Sequence, residues 1–317
     1  MRIVYIGSGE FGIECLNALV GSSHDLVFLV TQPAQPAGRG QKSKPTPAAI
    51  WAKEHSIDSV EAEDVNSPQM LDTIAGHKPD LVIVIAFGQK IGRELVQLAP
   101  KGAINVHASL LPKYRGAAPI NWAIINGEIE TGVSIITIAE KMDAGDILGQ
   151  AETQIAPDET AGELHDRLAI LAAPLLIETI DKIANGTAIY TKQDDSQATR
   201  ASKLKKTDGL LDFTGPAELL VRKIFGLWPW PGASAIYVSK KTGKSLRVAI
   251  AKANVVPTSN PANLPAGTLD ENLNIICGRD SLRIVEIKPE GGRLMGFDDF
   301  VNGRATASGD TFAKIEK

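Results

Sequence analysis

Asn105, His107 and Asp143 form the set of polar side chains in this chain best suited to catalysis. The first two stand two positions apart in Asn105-Val106-His107-Ala108-Ser109-Leu110-Leu111-Pro112. Residues two apart on an extended strand project from the same side, so the amide and the imidazole face one way and Val106 the other. The lead-in Lys101-Gly102-Ala103-Ile104 is short and apolar at its end, which places the pair where a buried strand meets a loop. In open α/β sheets that edge is where ligands bind. Asp143, in Met142-Asp143-Ala144-Gly145-Asp146, follows a second, β-branched strand pattern. An amide donor, a titratable imidazole and a carboxylate can hold a developing oxyanion and manage a proton. That is equipment for moving an acyl or one-carbon unit onto an amine. The other histidines, His24, His55, His77 and His165, have no such company and read as structural.

The surrounding pattern supplies a scaffold for these residues. Arg2 to Ile6 is a buried-strand pattern, Gly7 to Gly12 a turn, and Phe11 to Val20 a helix ended by Gly21. Further strands are predicted at Leu26 to Val30, Asp80 to Ala86, Ala103 to His107 and Gly132 to Ile138. Thr46-Pro47 opens a helix to about His55 and Ser67-Pro68 another to about Gly76, with proline in its favoured first-turn position. Alternation of strands and helices predicts an α/β fold with a Rossmann-like, doubly wound parallel sheet. Thr160 caps a long apolar helix to about Ala184, which Pro174 is predicted to kink or split. Residues 191–206 are polar and read as a linker. Beyond them, short β-like runs at 234–238, 246–252, 273–277 and 282–287 predict a small all-β module.

A length of 317 residues favours two domains. The net charge of −4 and pI near 5.8 argue against a protein that coats nucleic acid, but leave room for a local basic patch. Cys15 and Cys277 fall in apolar runs far apart and read as small buried hydrophobes, with no metal-binding spacing. The chain opens on a strand pattern and no apolar run approaches ~18 residues, so neither a signal nor a membrane span is expected. The expected compartment is the cytoplasm.

Gly7-Ser8-Gly9-Glu10-Phe11-Gly12 fits the dinucleotide fingerprint G-x-G-x-x-G between a strand and a helix. That fingerprint also expects an acid at the end of the second strand to hold the ribose hydroxyls. Here the strand ends Leu29-Val30-Thr31-Gln32-Pro33, so no NAD is expected, and a tight turn with helix packing accounts for the glycines. Residues 32–47 read as a long loop carrying Arg39, Lys42 and Lys44, and loops longer than ~12–15 residues in compact domains are usually functional or disordered. Lys203, Lys205 and Lys206 extend a potential phosphate track.

Four segments in order, Asn-x-His, Ser109-Leu-Leu-Pro112, Arg115-Gly-Ala-Ala-Pro119 and Asp143-x-Gly145, carry a resemblance to the methionyl-tRNA formyltransferase family. It extends through Arg2-Ile-Val-Tyr-Ile-Gly7, Thr31-Gln-Pro33, Pro36-Ala-Gly-Arg-Gly40, Ala201-Ser-Lys203-Leu-Lys205 and Pro229-Trp-Pro-Gly232. The resemblance implies formyl transfer from 10-formyltetrahydrofolate to the α-amino group of initiator methionyl-tRNA. No metal and no covalent intermediate are implied, and a monomer is expected. Asn105, His107 and Asp143 would be catalytic. Phe87, Gly88, Gln89, Ser109, Leu110, Leu111, Pro112 and Gly145 would line the folate site, with Gly145 allowing close approach of the folate. Arg39, Lys42, Lys44, Lys203, Lys205 and Lys206 would contact tRNA. The implied division is a catalytic domain over 1–190, a linker over 191–206 and an OB-like barrel over 207–317. Phe225-Gly226-Leu227-Trp228 stands where the family commonly carries an arginine and an asparagine, so no tRNA contact is inferred there. Within the same chemistry the rivals are a formyltransferase for a nucleotide-linked amino sugar and a formyltetrahydrofolate hydrolase. From other classes come a dinucleotide-dependent oxidoreductase and a catalytically silent tRNA-binding module.

Overall fold

Runs of Val, Ile and Leu that are buried on both faces form the middle of the principal sheet, as their lack of polar alternation requires. The structure, a computed structural model, describes residues 1–37, 42–258 and 263–316. In chain order the first elements are β1 (Arg2–Gly7), α1 (Ile13–Val20), β2 (Asp25–Thr31), β3 (Gln35–Ala37), β4 (Lys42–Lys44) and α2 (Pro47–Glu54). Then come β5 (Ser59–Glu61), α3 (Pro68–Gly76), β6 (Leu81–Ile85), α4 (Arg93–Gln97), β7 (Ala103–His107) and β8 (Arg115–Gly116). They are followed by α5 (Pro119–Asn126), β9 (Glu130–Thr137), β10 (Ile147–Gln154), α6 (Ala161–Asn185) and β11 (Arg200–Ala201). The rest are α7 (Ala217–Leu227), β12 (Ala233–Val238), β13 (Ser245–Val256), β14 (Ile275–Ile276), β15 (Ser281–Pro289), β16 (Met295–Gly296), α8 (Phe297–Arg304) and β17 (Thr311–Ala313).

The chain divides into two compact units. The first comprises Met1–Gly116, Glu130–Thr153 and His165–Ala201, and the second Ala117–Ile129, Gln154–Leu164 and Ser202–Lys317. The first unit holds a seven-stranded sheet in the order β10-β9-β7-β6-β1-β2-β5. From β7 through β6, β1 and β2 to β5 it is parallel, but β9 runs antiparallel to β7. The expected parallel sheet is therefore mixed at one side. Burial cannot encode this, because either direction of β9 hides the same side chains. Val4, Ile6, Val30, Val82, Val84, Ile74 and Leu95 pack into one core on this sheet.

Local start signals are met where the sequence places them. Thr46 accepts from the Ala49 N–H and Ser67 from the Met70 N–H, each capping a helix that begins with proline. The glycine-rich turn is shaped by a neighbour on β1. A side chain at Gly12 would meet the Tyr5 hydroxyl at 1.9 Å, and one at Gly7 would meet both that hydroxyl at 2.6 Å and the Ile85 carbonyl at 2.5 Å. The glycines make room for a fully buried tyrosine.

Three expectations need correction. Part of the predicted loop 32–47 is a hairpin, with Gln35 opposite Lys44 and Ala37 opposite Lys42, because main-chain pairing does not require apolar alternation. Of the two outcomes expected at Pro174, a split does not occur, since α6 runs as one helix from Ala161 to Asn185. Pro174 and Ile170 both lie on its exposed face, where the Ile170 carbonyl released by the proline can meet water. Residues 191–201, read as linker, belong to the first unit, where β11 pairs in parallel with β8.

The second unit contains an antiparallel barrel ordered β14-β15-β13-β12-β17. Residues 267–269 nearly close it, since Phe312 N–H donates to the Gly267 carbonyl and Ile276 N–H to the Thr268 carbonyl. Tyr237, Ile250, Leu282, Ile284 and Phe312 fill it. The unit is not all-β: α7 and α8 contribute Ala217, Leu220, Ile224, Phe297 and Phe300 to the same core. The spacing 217, 220, 221, 224 is helical and was the available signal. No helix among the described residues is long and apolar enough to cross a membrane.

Candidate active site

β7 is hydrogen-bonded on both sides, so the end that carries Asn105 and His107 is fixed. Asn105 lies opposite Val84 of β6 and Ile136 of β9, and His107 opposite Ser134. His107 is only 6% exposed, and its Nε2 stands 2.9 Å from the Tyr114 carbonyl oxygen. A carbonyl can only accept, so Nε2 carries a hydrogen and Nδ1 is the nitrogen turned toward Asp143. The Nδ1 to Oδ2 distance is 3.6 Å, too long for a direct hydrogen bond. Asp143 is itself 14% exposed, and the same Oδ2 accepts from the Gly116 N–H at 2.8 Å. The turn 114–116 thus holds both partners, offering the Tyr114 carbonyl to the imidazole and the Gly116 amide to the carboxylate.

Asn105 is half-buried, and its side-chain amide makes no hydrogen bond among the described residues. It is available as a donor. Asp143 sits at φ +53, a left-handed conformation that costs a non-glycine residue on the order of 1 kcal/mol. Such a backbone persists where its surroundings over-determine it. Here they do so through Gln193, whose Nε2 donates to the carbonyls of Asp143 at 2.8 Å and Gly145 at 2.7 Å. Gln193 Oε1 accepts from Arg115 Nε and Nη2 at 3.0 and 2.8 Å, and Arg115 is also paired with Asp195 at 2.7 Å. Sequence reasoning missed Gln193, which lies in a polar stretch without periodicity. Arg115 was noticed only as part of a motif.

The expected folate-site residues divide. Ser109 is fully buried, and its hydroxyl donates to the Lys113 carbonyl while its own carbonyl accepts from Ser134. Leu111 is also buried, with its N–H on the Ser134 hydroxyl and its carbonyl on Gln150. These two shape the loop, the Ser109 hydroxyl being engaged within it, and Leu110 and Pro112 are the partly exposed members. Phe87 is buried in the sheet core. Gln89 uses its side chain on peptide groups of Ala62, Glu63 and Val65, which leaves the exposed backbone at Gly88, φ +83, as the open part of that segment. At Gly145 a Cβ would stand 1.7 Å from the Thr137 carbonyl oxygen, so packing against β9 is by itself enough to require glycine there.

The remaining histidines are structural. His24 bonds Asp181 at 3.0 Å, His55 and His77 stack on Trp51 and Phe28, and His165 packs edge-on to Phe11. Burial pushes the Cys15 and Cys277 thiols up to about 12, so neither is a nucleophile near neutrality.

The arrangement meets a known family in sequence. The formyl transferase family matches residues 1–180, and the formyl transferase C-terminal domain matches residues 203–305. A methionyl-tRNA formyltransferase of Citrifermentans bemidjiense is 40% identical over 99% of this chain and 97% of its own length. The chain belongs to the methionyl-tRNA formyltransferase family. A second relative of the same name, from Geobacter sulfurreducens, is 40% identical over 96% of this chain and 94% of its own. The N-formyltransferase of Helicobacter canadensis, solved with folinic acid and dTDP-3-aminofucose, shares the fold with a TM-score of 0.63 at 16% identity, covering 90% of this chain and 98% of its own. Of the cations that resemblance to the family marks for tRNA, Lys44, Lys203, Lys205 and Lys206 are exposed. Arg39 and the side chain of Lys42 lie outside the described residues.

Proposed function

We propose that this chain transfers the formyl group of 10-formyltetrahydrofolate to the α-amino group of methionine on initiator methionyl-tRNA, in the cytoplasm. The observation that carries this reading is near-full-length similarity at 40% identity to proteins of that name. The site geometry supports the chemistry. The free amine attacks the formyl carbon, and the carbonyl oxygen becomes an oxyanion within reach of the Asn105 amide. Collapse breaks the bond to the folate nitrogen, which takes up the proton that the amine gives away. His107 Nδ1, the ring nitrogen left free of Tyr114, is placed to relay that proton, with Asp143 facing it across a gap that can tighten in the reacting complex. All three groups come from one chain, so a monomer suffices.

In this reading residues 1–190 carry the chemistry, and Leu110, Pro112 and the Gly88 backbone offer the open surface to the folate. Lys203, Lys205 and Lys206 meet tRNA phosphates, and residues 207–317 form the tRNA-contacting barrel domain. The amino-sugar alternative rests on a shared fold alone, at 16% identity. The test compares transfer of labelled formyl from 10-formyltetrahydrofolate to charged initiator tRNA, to a UDP-amino sugar and to water. Transfer to tRNA should dominate, and Asn105→Ala should lose roughly 10²–10³-fold in kcat as the loss of an oxyanion donor. Folded Asn105→Ala with near-normal turnover would sink the assignment.

A further inference from the structure

We infer that Gln193 is a positioning residue for the reaction, a clip that fixes the Asp143 carboxylate opposite His107. The inference rests on the proposed role of Asp143. It comes from a closed circuit of hydrogen bonds within the first unit. The Gly116 N–H holds Asp143 Oδ2, the Asp143 carbonyl accepts from Gln193 Nε2, and Gln193 Oε1 accepts a fork of two N–H groups from Arg115. Arg115 and Gly116 are adjacent, so the circuit returns to its start. One dipeptide thereby grips the carboxylate directly and the backbone behind it through a glutamine.

The geometry requires an amide at position 193. The Nε2 group bridges two carbonyls that flank Ala144, at 2.8 and 2.7 Å, which fixes the direction of the peptide chain on both sides of a turn. The Oε1 group must accept, because it faces a guanidinium. Asp143 has a left-handed backbone at φ +53, and Gly145 lies so close to Thr137 that no side chain fits there. With the clip released, Asp143 can relax toward ordinary backbone angles while Gly145 stays in place, and the carboxylate then turns away from His107. Residue 193 falls between the segments matched by the two formyl transferase domains. Its side-chain hydrogen bonds go to Arg115 and to the Asp143 and Gly145 carbonyls, and to neither His107 nor Asn105, so its effect travels through Asp143.

The test is a double-mutant cycle on the full-length protein, made from wild type, Gln193→Ala, Asp143→Asn and the double variant. Formyl transfer to charged initiator tRNA and melting temperature are measured for each. Gln193→Ala should lower kcat on the order of 100-fold, the cost of misplacing a catalytic group by about an ångström, with the KM for the folate within about twofold. In the Asp143→Asn background the same substitution should change kcat by less than about threefold, because groups that act as a unit are not additive. Gln193→Glu keeps the Arg115 pair but sets a carboxylate oxygen against two carbonyl oxygens, so it should be at least as impaired as Gln193→Ala. It also decides the matter if Gln193→Ala proves unstable. Normal kcat in Gln193→Ala or in Gln193→Glu would overturn the inference, and so would equal losses in both backgrounds. If Asp143→Asn itself turned over normally, the catalytic role of Asp143 would fall as well. An impaired Asp143→Asn with an additive cycle removes the clip alone.

Discussion

Gly145→Ala tests what this glycine is for. The new Cβ would sit 1.7 Å from the Thr137 carbonyl oxygen, whereas real contacts of this kind stay beyond 3.0 Å. A close-packed interior has no slack to absorb the difference, so the loop and β9 must separate by about 1.3 Å. The separation strains the pairing of Thr137 N–H with the Asp146 carbonyl, at 2.9 Å, and of Asp146 N–H with the Thr137 hydroxyl, also at 2.9 Å. Losing both costs about 1–3 kcal/mol, which lowers the melting temperature by several degrees. Asp143 lies two residues away, and a displacement of about an ångström at the carboxylate lowers kcat on the order of 100-fold. Differential scanning calorimetry on the free protein and steady-state kinetics with varied folate measure both effects. The folate KM should stay within about twofold, because a clash with β9 exists before any ligand arrives. A variant with normal kcat and melting temperature would show that β9 does not require glycine at 145. So would a variant changed only in folate KM, which would return Gly145 to the role expected from the sequence.

Two further outcomes follow from single features. The Tyr5 hydroxyl is buried without a hydrogen-bond partner among the described residues, and burial drives its pKa well above the ordinary phenol value. Tyr5→Phe should therefore leave stability unchanged or raise it by about 1 kcal/mol, and a clear fall in chemical-denaturation midpoint would show that the hydroxyl does have a partner. Lys203→Ala and Lys205→Ala should raise the KM for tRNA, and each should flatten the plot of log affinity against log salt by about one unit. An unchanged slope would take them off the tRNA surface.

Features that depend on neighbours along the chain were legible in the residue order. The buried run 81–85, the period-2 placement of Asn105 and His107, and the two capped, proline-opened helices at Pro47 and Pro68 stand where short spans of residues put them. Apolar patterning and capping act over a few residues, so they can be read locally. Pairings between distant segments become visible only in the folded chain. β9 runs antiparallel beside β7, and patterning is blind to that choice because either direction hides the same side chains. The glycines at 7 and 12 look like a dinucleotide fingerprint, yet their neighbour is Tyr5 on the preceding strand. Gly145 answers to Thr137, and Asp143 is held by Gly116 and by a glutamine fifty positions onward, in a stretch whose polarity reads as linker. A hydrogen bond to a peptide carbonyl leaves no mark in the sequence of the residue that accepts it. Which side chains converge on the Asp143 turn is settled only by where the chain returns.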